Sequence, residues 1–219
     1  RIRVEGMYLD EQELFDLRRS LETIRDIVRF LQKSDDDEEE GTSPYPCLKR
    51  LAGDITVFPQ LIAKINGILS PYGKIKDNAS TELARIRREL ASTMGSISRS
   101  LNSILRNAQS EGVVDKDVTP TMRDGRLVIP VAPALKRKIR GIVHDESASG
   151  KTVFIEPAEV VEANNRIREL EGDERREIIR ILTGFSNQLR PSIPDVLLSY
   201  EFLAEIDFIR AKVLLSLIH

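Results

Sequence analysis

Apolar residues recur every three or four positions in the first part of the chain, the spacing that one face of an α-helix presents. Asp10 is a favourable N-cap for the first predicted helix. The apolar face of this helix comprises Leu14, Leu17, Leu21, Ile24, Val28 and Leu31. A short helix is predicted after Pro44 and Pro46, and another begins at Pro59. Residues 1–70 are therefore predicted to form a helical core.

The longest predicted helix covers residues 80–108, with Ser80 as its N-cap. Its apolar residues repeat with nearly a heptad period: Leu83, Ile86, Leu90, Met94, Ile97, Leu101 and Ile104. At about 1.5 Å per residue this helix is roughly 43 Å long. Such a narrow apolar stripe predicts pairing with a second long helix. Residues 71–112 are thus interpreted as one long helix with its leading turn.

The pattern changes after Gly112, where β-branched residues and turn signals replace the helical period. Asp124-Gly125 is a β-turn dipeptide that precedes an apolar run. A second hairpin is predicted from 139–146 and 151–156, joined across 147–150. Residues 113–156 are therefore predicted to form a small antiparallel β unit.

Helical spacing resumes after the β unit. Pro157 is predicted to open a second long helix at its first position, within residues 157–194. Pro191 and Pro194 predict a joint, because proline removes a backbone donor and clashes with the preceding helical turn. Asp195 is predicted to cap a final helix over 195–219. The predicted fold is mainly α, with a helical core, two long antiparallel helices and the β unit at their tip.

Composition excludes several classes of protein. The chain has 219 residues, of which 41% are hydrophobic and 31% charged. No run approaches the roughly 20 apolar residues that span a bilayer, so no membrane association is expected. The single cysteine, Cys47, is typical of a reducing compartment, and a cytoplasmic location is expected. Because the chain enters a helical pattern soon after Arg1, it is interpreted as an internal piece of a longer protein.

Charge is distributed unevenly along a chain whose net charge is −2. Residues 121–144 contain six Lys or Arg side chains and one Asp, which is typical of a nucleic-acid-binding patch. The predicted phosphate contacts are Arg123, Arg126, Lys136, Arg137, Lys138, Arg140 and Lys151. The acidic run 35–40 is predicted to be a solvated loop, because no glycine within it turns the chain around a metal ion.

Two motifs resemble catalytic sites without meeting their requirements. Ser149-Gly150-Lys151-Thr152 imitates the end of a P-loop, but Asp145 stands where the first glycine belongs, and a strand is predicted to follow. His144, Asp145 and Ser147 are residue types of a hydrolase triad, yet neighbours on a strand point to opposite faces. No catalytic residue, metal site or cofactor site is predicted within this chain.

Several motifs resemble one protein family. They are Asp124-Gly125-Arg126-Leu127-Val128-Ile129-Pro130-Val131, Gly141-Ile142-Val143-His144-Asp145-Glu146-Ser147-Ala148-Ser149-Gly150, Thr152-Val153-Phe154-Ile155-Glu156-Pro157, Val160-Val161-Glu162-Ala163-Asn164-Asn165, Asn78-Ala79-Ser80-Thr81-Glu82-Leu83-Ala84-Arg85-Ile86-Arg87-Arg88 and Phe202-Leu203-Ala204-Glu205-Ile206-Asp207-Phe208-Ile209-Arg210-Ala211-Lys212. Together they resemble the middle region of bacterial MutS-II proteins, a branch of the mismatch-repair MutS family. In that family these segments correspond to a core, a lever and a DNA-gripping clamp.

The resemblance implies functions for a longer parent protein. It implies a homodimeric ATPase that uses ATP and Mg²⁺ in a domain absent from this chain, with an endonuclease domain at the C-terminus. Such proteins are expected to bind branched or mismatched DNA and to restrain homologous recombination, and some family members are implicated in splitting stalled ribosomes. The chain itself is then expected to grip DNA without catalysing a reaction.

Two alternatives remain open at the level of sequence. The same cations suit the phosphate backbone of ribosomal RNA, which predicts a ribosome-contacting module. The long helices alone suit a purely structural dimerisation rod, on which the basic patch has no binding role.

Overall fold

The computed structural model describes residues 2–32 and 45–217. They form two compact units. The helical unit consists of Arg1–Ser80 with Ile178–His219, and the sheet unit consists of Thr81–Glu177. The acidic run 35–40 lies outside the described residues.

The helical unit contains α1 (Glu11–Gln32), α2 (Pro46–Leu51), α3 (Pro59–Ile68) and α6 (Ile193–Ser216), together with the end of α5 (Val161–Leu189). The predicted N-cap of α1 is confirmed. Asp10 Oδ1 accepts a hydrogen bond from the backbone N–H of Glu13 at 2.9 Å, and Glu13 Oε2 accepts one from the N–H of Asp10 at 3.0 Å. This reciprocal pair is a capping box, which satisfies two donors at the helix start.

The predicted apolar face of α1 is buried in full, and Ile24, Val28 and Leu31 share a cluster with Ala52 and Phe202. The apolar face predicted for α6 is buried only in part. Val213 and Leu217 are 53% and 77% exposed, because apolar side chains occupy all sides of this helix rather than one stripe.

The sheet unit contains α4 (Thr81–Ser110) and the first part of α5. The predicted stripe of α4 is buried at Leu83, Ile86, Ile97 and Leu101, and half-buried at the other three positions. Two ion pairs link the helices, Glu89 with Arg166 and Arg87 with Glu174. Arg87 precedes Glu89 in α4, whereas its partner Glu174 follows Arg166 in α5. The two helices are therefore antiparallel, as predicted.

Four antiparallel strands complete this unit: β1 (Thr121–Arg123), β2 (Arg126–Val131), β3 (Gly141–Glu146) and β4 (Val153–Pro157). Their order is β1-β2-β4-β3. Both predicted hairpins are confirmed. Asp124 and Gly125 have φ of 47° and 72°, the left-handed pair that a type I′ hairpin turn requires. The hydrophobic cluster of the unit joins Ile129 and Ile155 of the sheet to Leu101 of α4 and Ile167 of α5.

Two predicted helix starts are wrong. Pro157 is the last residue of β4 and pairs with Gly141, with an extended ψ of 143°. A 3₁₀ turn (Ala158–Val160) follows, and α5 begins only at Val161. Asp195 lies in the first turn of α6, whose N-cap position is Ser192. The fixed φ of proline suits an extended strand end as well as a helix start, so the residue type alone does not separate them.

The predicted joint near Pro191 is confirmed. Residues Arg190–Ser192 form a 3₁₀ turn between α5 and α6, so the α-helical hydrogen bonding does not run through from 161 to 216. In the part of the chain that the structure describes, no helix has the length and apolar character needed to cross a lipid bilayer.

Candidate nucleic-acid interface

A buried carboxylate, that of Glu156, joins several elements of the sheet unit. Glu156 on β4 is fully buried, and three side chains donate to it. Arg126 Nη1 lies 2.7 Å from Oε1, Asn164 Nδ2 lies 2.7 Å from the same oxygen, and His144 Nε2 lies 2.5 Å from Oε2. We call Arg126, His144, Glu156 and Asn164 the carboxylate network. It joins β2, β3 and β4 to the start of α5.

Asn164 is also held by the backbone of β2, and β3 lies close to β4 beside the network. Asn164 donates to the carbonyl of Leu127 at 3.2 Å and accepts from its N–H at 3.3 Å. A Cβ added at Gly141 would lie 2.1 Å from the carbonyl oxygen of Glu156, so β3 approaches β4 closely there. His144 occupies the irregularity in the β3–β4 register between Val143 and Asp145. A bulge of this kind redirects a side chain, and here it accompanies the contact with Glu156.

The network shifts the proton affinity of its carboxylate. Burial on its own would raise the pKa of Glu156, since a charged carboxylate is poorly solvated away from water. Hydrogen bonds from His144, Asn164 and Arg126 act in the opposite direction and hold the pKa of Glu156 below its ordinary value. Glu156 is therefore a charged, fully partnered group.

One of the predicted phosphate contacts, Arg126, is already engaged by other residues of the chain. The side chain of Arg126 is only 14% exposed, and its Nη2 donates to Asn165 at 2.8 Å. Removing Arg126 from Glu156 would leave a buried carboxylate without its counter-ion, at high energetic cost. The position of Arg126 thus favours a structural role over contact with a phosphate.

Four of the other predicted cations lie together on a short connection. A 3₁₀ turn (Pro133–Lys138) links β2 to β3 by crossing over β4, which lies between them in the sheet. Leu135 and Ile139 anchor this connection in the hydrophobic cluster. The exposed cations, which we call the basic cluster, are Lys136, Arg137, Lys138 and Arg140.

No side chain of the basic cluster forms an ion pair or hydrogen bond within residues 2–32 and 45–217. Lys138 and Arg140 border a cavity of about 270 Å³ at the end of α4, which Glu111 and Glu159 also line. Exposed cations without partners keep their charge and their donors available to an anion outside the chain.

The remaining two predicted cations, Arg123 and Lys151, do not belong to this connection. Arg123 lies over the ring of Phe154, with its guanidinium carbon 4.2 Å from the ring centroid. Phe154 and Ile155 are neighbours in β4, so their side chains point to opposite faces of the sheet. Ile155 faces the hydrophobic cluster against which Leu135 and Ile139 pack. Arg123 and the connection that carries the basic cluster therefore lie on opposite faces of the sheet. Lys151 is exposed in the turn between β3 and β4, and it lines a cavity of about 220 Å³ together with Ala132 and Leu135 at the start of the connection. The seven candidates therefore do not form one patch.

Three arginines of the two long helices contrast with the basic cluster. Arg87 pairs with Glu174 at 2.7 Å, and Arg166 pairs with Glu89 at 2.6 Å. Arg85 contacts both Glu82 and Glu89. The hydrogen bonds that Arg166 donates to Glu89 are the main cause that raises the pKa of Arg166 above its ordinary value. These cations are neutralised by carboxylates of the same two helices.

Comparison with known proteins supplies the family. No protein-family model matches the chain. The chain is similar to curated proteins named endonuclease MutS2. The endonuclease MutS2 proteins of Finegoldia magna and Pelotomaculum thermopropionicum are each 38% identical to it over 208 residues, or 95% of this chain. The endonuclease MutS2 of Symbiobacterium thermophilum is 36% identical over 214 residues, or 98% of this chain.

The chain belongs to the MutS2 family. This confirms the family resemblance predicted from the motifs. The chain spans only 26% of the length of these three relatives, so it corresponds to a segment of a MutS2 protein.

The P-loop-like motif of this MutS2 segment is a hairpin turn. Gly150 has a φ of 65°, and Ser147 accepts a hydrogen bond from the N–H of Thr152 at 3.0 Å before β4 begins. His144 bonds to Glu156 rather than to Asp145 or Ser147, so these three residues form no triad. Among the described residues, no group of three His, Cys, Asp or Glu side chains is placed to hold a metal ion.

Sequence reasoning missed the carboxylate network. Glu156 lies in a strand of otherwise apolar residues, between Ile155 and Pro157. A lone acidic residue at a strand position expected to be buried signals a partnered charge, because an unpaired one is too costly there. Its partners could not be named in this way, since they come from three other elements of the MutS2 segment.

Proposed function

We propose that the sheet unit binds the phosphate backbone of DNA through the basic cluster, as one part of a larger MutS-family protein. The observation that carries the proposal is the set of four exposed cations, within five residues, that lack partners among the described residues. Phosphate contacts give affinity without reading the base sequence. Such binding suits a protein that recognises the form of DNA rather than its sequence.

The anchoring of the connection supports this proposal. Leu135 and Ile139 are packed against the hydrophobic cluster, so the backbone that carries Lys136, Arg137 and Lys138 is fixed at both ends. Fixed attachment reduces the conformational entropy that the chain loses when DNA binds. The basic cluster is therefore suited to a direct phosphate contact.

The contrast with the long helices also supports it. Arg85, Arg87 and Arg166 are occupied by carboxylates, so their charges are compensated before any DNA arrives. DNA would have to displace those carboxylates and leave them unpaired. These three arginines are consequently poorer candidates for a phosphate contact than the basic cluster.

For the whole protein we propose the functions that the family resemblance implies. These are homodimerisation, ATP hydrolysis with Mg²⁺, an endonuclease activity and restraint of homologous recombination. None of them is assigned to residues of this chain. The relatives are named for the endonuclease, and this chain covers 26% of their length.

The proposal is tested by DNA affinity at physiological salt. We expect the 219-residue chain to bind a labelled duplex, and Lys136→Ala/Arg137→Ala/Lys138→Ala to lower its affinity on the order of 10- to 100-fold, the effect of losing three phosphate contacts. The control is Arg99→Ala/Arg106→Ala/Arg175→Ala, which removes the same charge from exposed helical positions of the same unit.

Equal losses in the two variants would contradict the proposal, because they would reflect net charge alone. Absence of binding by the unmodified chain would also contradict it. A structured RNA that displaces the duplex at lower concentration than unlabelled DNA would overturn the choice of DNA and favour the ribosome-contacting alternative.

A further inference from the structure

Arg18 of α1 is a buried cation of the helical unit, only 6% exposed. Its Nη1 donates to Asn66 Oδ1 at 3.2 Å and to the carbonyl of Ser70 at 3.0 Å. Its Nη2 donates to the carbonyl of Pro71 at 3.1 Å. All three acceptors are uncharged, and no carboxylate of the described residues forms an ion pair with Arg18. Within the part of the chain that the structure describes, no counter-ion is therefore paired with this buried arginine.

The donors of Arg18 are also incompletely used. Its hydrogen bonds leave part of the N–H groups of the guanidinium without an acceptor. Its Nε is shielded from solvent and has no hydrogen-bond partner among the described residues. Burial of a charge without a counter-ion, and of a donor without an acceptor, costs free energy. An anion bound near Arg18 would offset part of that cost.

A cavity of about 430 Å³ lies beside this arginine, and we call it the Arg18 cavity. Such a volume falls within the roughly 300–1,000 Å³ of small-molecule sites. Two cations, one carboxylate, one amide and two apolar residues line it: Arg18, Lys76, Glu22, Asn66, Leu69 and Pro71. Lys76 is half-buried, and its Nζ donates to the carbonyl of Asn66 at 2.6 Å, which holds the ammonium group beside α3. The lining thus carries an excess of positive charge.

Glu22 restricts the kind of anion that fits. It lies one helical turn after Arg18 and borders the same cavity, but it forms no ion pair with any described residue. Its charge would repel a bare polyanion, whereas its oxygens can accept a hydrogen bond from a hydroxyl group of a ligand. The lining therefore suits a ligand that combines one anionic group with hydroxyl groups.

We propose that the Arg18 cavity binds the phosphate group of a small molecule. A phosphate monoester carries about −1.5 to −2 charges at neutral pH, which the two cations Arg18 and Lys76 compensate. Because Nε is shielded from solvent, we assign this compensation to the charge of the guanidinium at the cavity wall, which does not require a new bond from Nε. The site lies within the helical unit and does not depend on the DNA binding proposed for the sheet unit.

The test titrates inorganic phosphate and glycerophosphate into the 219-residue chain at constant ionic strength. The NMR signal of the Arg18 Nε–H group reports on the site, and Arg18→Lys identifies this signal by removing it. We expect both probes to shift the signal in a saturable manner at millimolar concentrations. Tighter binding of glycerophosphate would assign the ligand to phosphate esters with hydroxyl groups, and equal affinity would assign it to free phosphate.

Charge variants test the lining with inorganic phosphate as the probe. Lys76→Gln should weaken binding about fivefold or more, because it removes a cation that borders the anion. Glu22→Gln should tighten binding about threefold, since it removes a repelling charge, and a poorly folded variant cannot produce this gain. Lys74→Gln is the control, because it removes an exposed cation of the same turn that does not line the cavity, and it should change affinity less than about twofold.

Three results would overturn the inference. The first is an Arg18 signal that does not respond to phosphate in a saturable manner. The second is equal weakening by Lys76→Gln and Lys74→Gln, or unchanged affinity in Glu22→Gln, because binding would then not involve this lining. The third is acetate that binds as tightly as phosphate, which would indicate a site for a carboxylate instead.

Discussion

Three arginines of the two long helices and the four cations on the connection between β2 and β3 differ in what surrounds them. On the helices, each of Arg85, Arg87 and Arg166 has a carboxylate within 3 Å. On the connection, the basic cluster has no such partner within the described residues. A count of charges along the sequence does not separate these groups, whereas the positions of their carboxylates do.

Burial makes a second distinction, between two ion pairs of equal length. Arg126–Glu156 in the sheet and Arg87–Glu174 between the helices both measure 2.7 Å. Glu156 is fully buried, while Glu174 is 26% exposed. Breaking a buried pair leaves an uncompensated charge without water, and breaking a partly exposed pair does not. We therefore expect the sheet pair to be structural and the helix pair to be dispensable.

The largest expected effect comes from Glu156→Gln. It keeps the shape of the side chain but leaves Arg126 without its counter-ion, and we expect it to lower the free energy of unfolding by about 3–5 kcal/mol. Denaturant unfolding measures this change. Glu174→Gln is the matched control, because it removes a carboxylate at the same distance from an arginine, and it should cost about 0–1 kcal/mol. Similar losses in both variants would refute the distinction by burial.

A smaller effect is expected from pH. The pKa of Glu156 is lower in the folded chain than its ordinary value of 4.5, so its contribution to stability is complete above that value. The contribution is lost as the pH falls through the folded pKa. The difference in unfolding free energy between the unmodified chain and Glu156→Gln should therefore narrow as the solution is acidified. A difference that stays constant would show that Glu156 has the same pKa in both states.

Much of this fold follows from periodicity and turn chemistry. Heptad spacing predicted α4, and Asp124-Gly125 predicted the first hairpin, because both signals are local. Pro157 was misassigned because its fixed φ fits a strand end as well as a helix start. The sequence indicated which residues are charged, but whether a cation is paired depends on contacts such as Arg126–Glu156, which join residues 30 positions apart.

The most direct test of the central claim is the salt dependence of DNA binding. For the 219-residue chain, the slope of log affinity against log salt counts the phosphates that are contacted, about 0.9 for each in duplex DNA. Lys136→Ala/Arg137→Ala/Lys138→Ala should reduce the magnitude of the slope by up to about 2.7. Arg85→Ala/Arg87→Ala/Arg166→Ala removes the same charge from the paired arginines and should leave the slope unchanged. If both variants flatten it equally, or if only the helix variant does, the basic cluster is not the phosphate contact.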